Sequence, residues 1–410
     1  MPVNIEDISL HPFSRRREKG LCIFLIAGEA SGDALGANLM RALKYFNADI
    51  RFFGVGGSAM AGEGLQSLFP MEDLSVMGIA EILPKLFLIF SRIRQTAREI
   101  LKEKPDAVIT IDAPDFCFRV VRKVKTKTNS IPCIHYVAPS VWAWRPGRAK
   151  KVARFLDHLL TLLPFEPPYF EAHGLSSTFV GHPIVERLSQ RGDGNSFRRK
   201  YGINDTQPIL CMLPGSRMSE LTRLLGAFSE TADMLLRDRH DMVIVLPTLP
   251  HLKPYIENFF AGRGINPILI DQDDDKFDCF SASMIALAAS GTVSLELALT
   301  DTPHIIAYKV NPLSAWLARR LIKTPYVNLV NILLNRPVVP ELIQERCVPQ
   351  EMARELLTLL DKKEARGIQL MGFREALIKI GLGDPESPSR KAARAVLSLV
   401  ITQDKNPQGA

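Results

Sequence analysis

The sequence predicts an α/β protein built as two Rossmann-like lobes facing a cleft, and three observations carry that prediction. Ile23–Asp33 and Ile209–Arg217 each run an apolar, β-type segment into a Gly/Ser turn that opens a helical pattern. Strand-like and helix-like segments alternate around both, the arrangement of parallel, doubly wound sheets that take ligands at the carboxyl ends of their strands. At 410 residues the chain is long enough for two such lobes, each with its own core.

The elements follow in order. Residues 1–20 are a polar N-terminal extension with the basic run Arg15–Lys19 and no apolar run after Met1, so no signal peptide is expected. Leu21–Ala27 is a first strand, too short to span a membrane. Within the first lobe, 21–185, strands are expected at Ile50–Val55, Ala107–Ile111 and Cys133–Val137, with helices near 34–45, 92–103 and 117–127. Leu159–Leu163 and Thr178–Val180 then lead into Gly181-His-Pro183. Ser189–Asn195 reads as a linker, which puts the boundary near 185. The second lobe, 186–367, restarts at Ile209 and continues through Met242–Leu246, Ile268–Ile270 and Ala286–Ala288. Residues 368–400 are helix-like, and the polar 401–410 are expected to be disordered.

Composition narrows the classes. With 46% apolar and 23% charged residues the chain reads as a soluble globular protein, and without an expected signal peptide it is expected to stay in the cytoplasm. Its six cysteines show no C-x-x-C spacing, so they read as reduced core residues, with neither a disulfide framework nor a zinc site. A net charge of +7 asks for an acidic partner such as a phosphorylated substrate or an anionic membrane surface. Nucleic acid is disfavoured, because the bases are spread widely and no binding module is visible.

Several residue patterns could carry chemistry. Asp112 and Asp115 bracket Ala-Pro at the end of a strand, where a carboxylate can serve as a general base; the alternative for either is a helix cap. Gly215, Ser216 and Arg217 place a guanidinium at the mouth of the second lobe, suited to a leaving pyrophosphate, unless Glu220 holds it in a surface pair. Ser290, Gly291 and Thr292 offer amide and hydroxyl donors, with Glu296 one turn on and able to accept from ribose hydroxyls; the alternative is a plain capped helix. The loop Gly28-Glu-Ala-Ser-Gly-Asp33 lacks dinucleotide spacing, and Glu29 would repel a pyrophosphate, so Glu29 and Ser31 suit a sugar acceptor. Trp142 and Trp144, with Arg145 and Arg148 close by, could form an aromatic and cationic wall against an acceptor phosphate or lipid head groups, or the two indoles could simply pack between domains. His135 and His182 lack partners at ligand spacing and read as structural, so no metal is expected. Val76–Ile93 is strongly apolar, yet Glu81, Pro84 and Lys85 interrupt it. It either lies in a membrane interface through Leu83, Leu86, Phe87 and Phe90, with the bases from Arg92 to Lys104 nearby, or forms a core or dimer-interface helix.

Taken in order, Gly28–Asp33, Ile111-Asp-Ala-Pro-Asp-Phe116, His135-Tyr-Val-Ala-Pro-Ser-Val-Trp-Ala-Trp-Arg145, Leu162-Leu-Pro-Phe-Glu166, Gly181-His-Pro183, Leu213-Pro-Gly-Ser-Arg217 and Ala289–Glu296 closely resemble the lipid-A-disaccharide synthase family. That family comprises inverting, two-lobed glycosyltransferases of the GT-B fold that act in the Gram-negative envelope. The resemblance covers roughly residues 20 to 395. It implies transfer of 2,3-diacylglucosamine from UDP-diacylglucosamine to diacylglucosamine 1-phosphate, on the cytoplasmic face of the inner membrane and without a cofactor. It also implies a C-terminal helical tail, 368–400, that returns to the first lobe, leaves room for a homodimer, and makes Asn331 a secondary candidate for the UDP-sugar site. Two positions depart from the family pattern: Cys117 stands where a polar residue is expected, and Val330 where a proline is usual.

Overall fold

The structure is a computed structural model that describes residues 20–74, 82–289, 291–311, 315, 320 and 324–404. The chain divides into two compact units, one formed by 1–183 with 385–410 and the other by 184–384.

The first unit is a parallel sheet of β1 (Leu21–Ala27), β2 (Ile50–Val55), β3 (Gln66–Ser67), β4 (Ala107–Ile111), β5 (Cys133–Tyr136), β6 (His158–Thr161) and β7 (Ser176–Phe179). Its strand order is β3-β2-β1-β4-β5-β6-β7. β4 is buried along its whole length, and so is β1 from Ile23 on, which is why both are continuous apolar runs rather than alternating ones. Their register sets Ala27 beside Ile111, so the turns that follow emerge side by side. Helices cover both faces: α1 (Ala30–Phe46) on one, and α3 (Ile82–Glu103) with α4 (Pro114–Lys125) on the other.

The segment expected at the membrane thus begins as a helix at Ile82; Val76 to Glu81 lie outside the described residues. Ile93, Ala97 and Ile100 of α3 are buried against the sheet, at helical spacing. Phe87 and Phe90 point the other way, 77% and 47% exposed. The core-helix alternative therefore holds only for the inward stripe. The side chains of Leu83 and Leu86 lie outside the described residues. Among the described residues no helix is long and apolar enough to cross a membrane.

The second unit repeats the plan with β8 (Ile209–Leu213), β9 (Val243–Pro247), β10 (Ile268–Ile270), β11 (Ile285–Ala288), β12 (His304–Tyr308) and β13 (Glu341–Ile343), in the order β10-β9-β8-β11-β12-β13. Helix α8 (Met218–Asp238) packs Leu221, Leu224, Leu225, Phe228, Ala232 and Leu235 on the sheet, the stripe that a 3.6-residue period dictates.

Two stretches behave differently from their sequence reading. Ser189–Asn195 is part of the second unit rather than a loose linker: the Asp193 carboxylate accepts from the N–H groups of Asn195 and Ser196, capping a short helix, and its own N–H donates to Asp278. The helix-like 368–400 is not one tail. Helix Lys363–Lys379 belongs to the second unit, where the Gln369 amide bonds both the N–H and the carbonyl of His304. Pro385 and Pro388 interrupt the chain. Helix Pro388–Asp404 then packs Ala392, Ala393, Val396 and Leu397 into the first unit's core beside α1. It continues past residue 400, and 405–410 lie outside the described residues.

Candidate active site

In the first unit, polar residues gather at the carboxyl ends of β1, β4 and β5. A Cβ on Gly28 would stand 2.8 Å from the Ala113 Cβ, so only glycine lets the Glu29 turn pass the Asp112 turn so closely. Glu29 and Ser31 are exposed there. Asp33 is not at the surface: its carboxylate accepts from the N–H groups of Gly57, Ala59 and Met60 and caps the following helix.

Asp112 and Ala113 both adopt left-handed backbone, with φ of 50° and 41°. The Asp112 N–H donates to the Tyr136 carbonyl and pins this turn to β5. The N-cap of α4 is Ala113, which has no side-chain group to cap the helix, and Asp112 stands one residue before it. Half-buried, the carboxyl is held above its ordinary range by desolvation, with the Ala113 N–H pulling the other way. Asp115 is 98% exposed and stands 3.9 Å from Arg148. Cys117 is fully buried in the core below, so this position supplies no polar contact beside Asp112.

Trp142 packs edge-on to Phe165 and donates to Glu166 at 3.2 Å. Glu166, a residue that the sequence did not single out, is buried and accepts as well from the N–H groups of Leu162 and Leu163. Burial pushes its carboxyl up to about 7 against those three donors. Arg145 lies over the Trp144 ring, 3.9 Å from its centroid. His135 bonds the Thr110 hydroxyl at 2.7 Å, and burial first, then the charge of Arg148, lowers it to about 3.

In the second unit a cavity of about 490 Å³ is lined by Gly215, Ser216, Arg217, Gly291, Thr292 and Glu296, which follow the carboxyl ends of β8 and β11. Ser290 lies outside the described residues. Gly215 has φ +122°, and a Cβ there would meet the Glu220 carboxylate at 2.4 Å. Glu220 accepts from the N–H groups of Ser216 and Arg217 rather than pairing with the guanidinium. Among the described residues no carboxylate lies within 4 Å of the Arg217 guanidinium, which leaves its donors for a ligand. Glu296 pairs with Lys276 at 2.6 Å inside the cavity. Lys276 follows the acidic Asp273–Asp275, and its spacing held no signal that it would face Glu296.

Asn331 does not join this cavity. Its amide is buried and fully committed, accepting from the N–H groups of Val338 and Val339 and donating to the Val339 carbonyl and Glu341. It is a loop anchor, and Val330 beside it is core.

Two parallel α/β lobes, one with an arginine, a lysine and a Thr/Glu pair around an open cavity and the other with a half-buried carboxylate at a strand end, place the chain in the class of GT-B-fold proteins. Solved structures share this fold. A UDP-N-acetylglucosamine 2-epimerase from Listeria monocytogenes matches with a TM-score of 0.64 at 14% identity, covering 94% of this chain and 97% of that one. MurG of Acinetobacter baumannii matches with 0.54 at 12%, covering 93% and 99%. Sequence similarity then fixes the family. The model of the family described as lipid-A-disaccharide synthetase matches residues 23–389. A lipid-A-disaccharide synthase of Rhodospirillum centenum is 52% identical over 93% of this chain and 95% of its own length, and one of Paramagnetospirillum magneticum 45% identical over 93% and 98%. The chain belongs to the lipid-A-disaccharide synthase family and is a glycosyltransferase.

Proposed function

We propose that the protein transfers 2,3-diacylglucosamine from its UDP derivative to O6 of 2,3-diacylglucosamine 1-phosphate, forming the β(1→6) disaccharide 1-phosphate and UDP. The observation that carries this reading is the match of the whole family pattern, with Asp112 and Arg217 both in place at strand ends. Asp112 removes the proton of the acceptor hydroxyl as its oxygen attacks the anomeric carbon from the face opposite UDP. The bond to the UDP β-phosphate oxygen breaks with inversion. Arg217, assisted by Lys276, takes the developing charge, and Thr292 and Glu296 hold the nucleotide. Glu29, Ser31, Trp142 and Arg145 serve the acceptor. Mass spectrometry of the product made from the two diacyl substrates tests the reading, and UDP release that needs no acceptor would overturn it.

The protein acts as a peripheral enzyme on the cytoplasmic face of the inner membrane. Phe87 and Phe90 project from α3, and the Arg119 guanidinium sits 5.5 Å from the Phe90 ring centroid. Apolar and cationic groups on one surface suit anionic lipid.

A further inference from the structure

The first unit holds another cavity of about 490 Å³, and its lining is lopsided. Arg119 and Arg122 of α4 face Arg145, Arg148 and Lys151 of the loop and short helix α5 (Gly147–Val152). Against five cations stands one carboxylate, Asp115, which is almost wholly in solvent and 3.9 Å from Arg148. Among the described residues no other carboxylate lies within 4 Å of any of the five.

These guanidinium groups are seated, not waving. Arg122 lies 4.6 Å from the Phe155 centroid, Arg148 5.6 Å from Phe118 and Arg145 3.9 Å from Trp144. An aromatic face occupies the plane of a guanidinium and leaves its N–H edges free, in a fork that matches the oxygens of a phosphate. Like charges so held repel one another unless an anion joins them. That field reaches the buried His135, whose imidazole it pushes further toward the neutral form.

We propose that this cavity is a phosphate-monoester site, and that its ligand is the anomeric phosphate of the acceptor sugar. The second clause rests on the function proposed above. The cavity begins at Pro114, two residues after Asp112 in the sequence. In the acceptor one hexose ring separates the attacking hydroxyl from the anomeric phosphate, so a base on this turn and a phosphate cradle behind it suit the two ends of one sugar. A monoester carries nearly two charges at neutral pH, whereas a phospholipid diester carries one, and five cations favour the former.

The test uses the full chain and two short-chain, water-soluble acceptors, diacylglucosamine 1-phosphate and its uncharged 1-O-methyl counterpart. The parent enzyme should prefer the phosphate. The double variant Arg122→Gln/Arg148→Gln should lower that preference in kcat/KM about tenfold to a hundredfold, mainly through KM for the acceptor. The UDP inhibition constant and the melting temperature should stay put, and Lys151→Gln alone should move the preference the same way should the double variant fold poorly. A parent enzyme indifferent to the phosphate, or a variant with unchanged preference, overturns the assignment. So does a loss confined to vesicles of anionic phospholipid, which would make the site a head-group contact. Transfer to neither acceptor would sink the proposed function instead; calorimetric binding of glucosamine 1-phosphate, present in the parent and lost in the variant, then supports the phosphate cradle, and its absence overturns it.

Discussion

At the scale of single residues, the proposed role of Asp112 depends on how the backbone holds it. Two successive non-glycine residues in the left-handed region cost on the order of 1–3 kcal/mol each, a strain that the bond from Asp112 to Tyr136 and the close pass of Gly28 sustain. Asparagine tolerates that backbone as well as aspartate does, so Asp112→Asn should keep the fold and UDP affinity. Turnover should fall by roughly 10²–10⁴, the worth of a positioned proton acceptor, and turnover within threefold of the parent would remove Asp112 from the mechanism. Asp115→Asn should cost far less, because that carboxylate is in solvent. Arg217→Ala removes a charge-assisted contact worth about 1.5–3 kcal/mol, or roughly ten- to more than a hundredfold in kcat/KM. Steady-state kinetics with both substrates decides it: an unchanged kcat/KM would return Arg217 to the surface.

At the scale of elements, α3 serves two masters. Its inner stripe of Ile93, Ala97 and Ile100 holds the helix on the sheet, while Phe87 and Phe90 spend their apolar area on solvent. Burying two phenylalanine side chains gives on the order of 3–6 kcal/mol, enough with nearby Arg94 and Arg98 to matter for peripheral binding. Phe87→Ser with Phe90→Ser should therefore release the protein from anionic vesicles in sedimentation, leave its melting curve nearly unchanged, and spare activity on short-chain substrates. A variant that melts much earlier yet still pellets would mark these rings as packing. The period of the sequence showed an apolar helix but not its two faces, because Ile, Leu and Phe recur on both. The strands were more legible. β1, β2, β4 and β10 coincide with the segments expected of them, and the two central strands, β1 from Ile23 and β4, are buried throughout, which makes their runs nearly continuous in apolar residues; β2, nearer the edge, exposes Arg51. β12 and β13 carry His304 and Glu341 inside the sheet layer, and their short runs gave no signal. The break between the last two helices was visible only as Pro385 and Pro388, which periodicity alone passed over.

At the scale of the molecule, turns and strand ends announced position: Asp112, Arg217, Thr292 and Glu296 all follow the carboxyl ends of parallel strands, as the sequence pattern expects. Lys276, the burial of Glu166 and the way Arg119, Arg122 and Lys151 join Arg145 and Arg148 were hidden because they depend on which helices meet, and no pattern around Asn331 announced that its amide bonds a loop. The same buried polar groups set how stability responds to acid. Burial lowers His135 to about 3, and His158, His182 and His304 to about 4, below the ordinary 6.5. Below pH 6.5 the unfolded chain takes up protons at these four positions and the folded chain does not, so each withdraws stability as pH falls, by about 1.4 kcal/mol per pH unit. Glu166 acts in the opposite sense: its folded carboxyl, near 7 against 4.5 unfolded, holds a proton more tightly, so its contribution grows as pH falls through that window. Asp112 works in the same sense as Glu166 just above its ordinary 3.8. Four histidines outweigh these carboxyls between pH 6.5 and 4.5, and the melting temperature should fall steeply across that interval. Glu166→Gln should make the fall steeper, because it removes the one strongly opposing group while leaving the histidines in place. Calorimetric melts at half-unit steps of pH check both: a flat profile would show that the four imidazoles are not held neutral in the folded chain, and a shallower one in the variant that the Glu166 carboxyl is not raised.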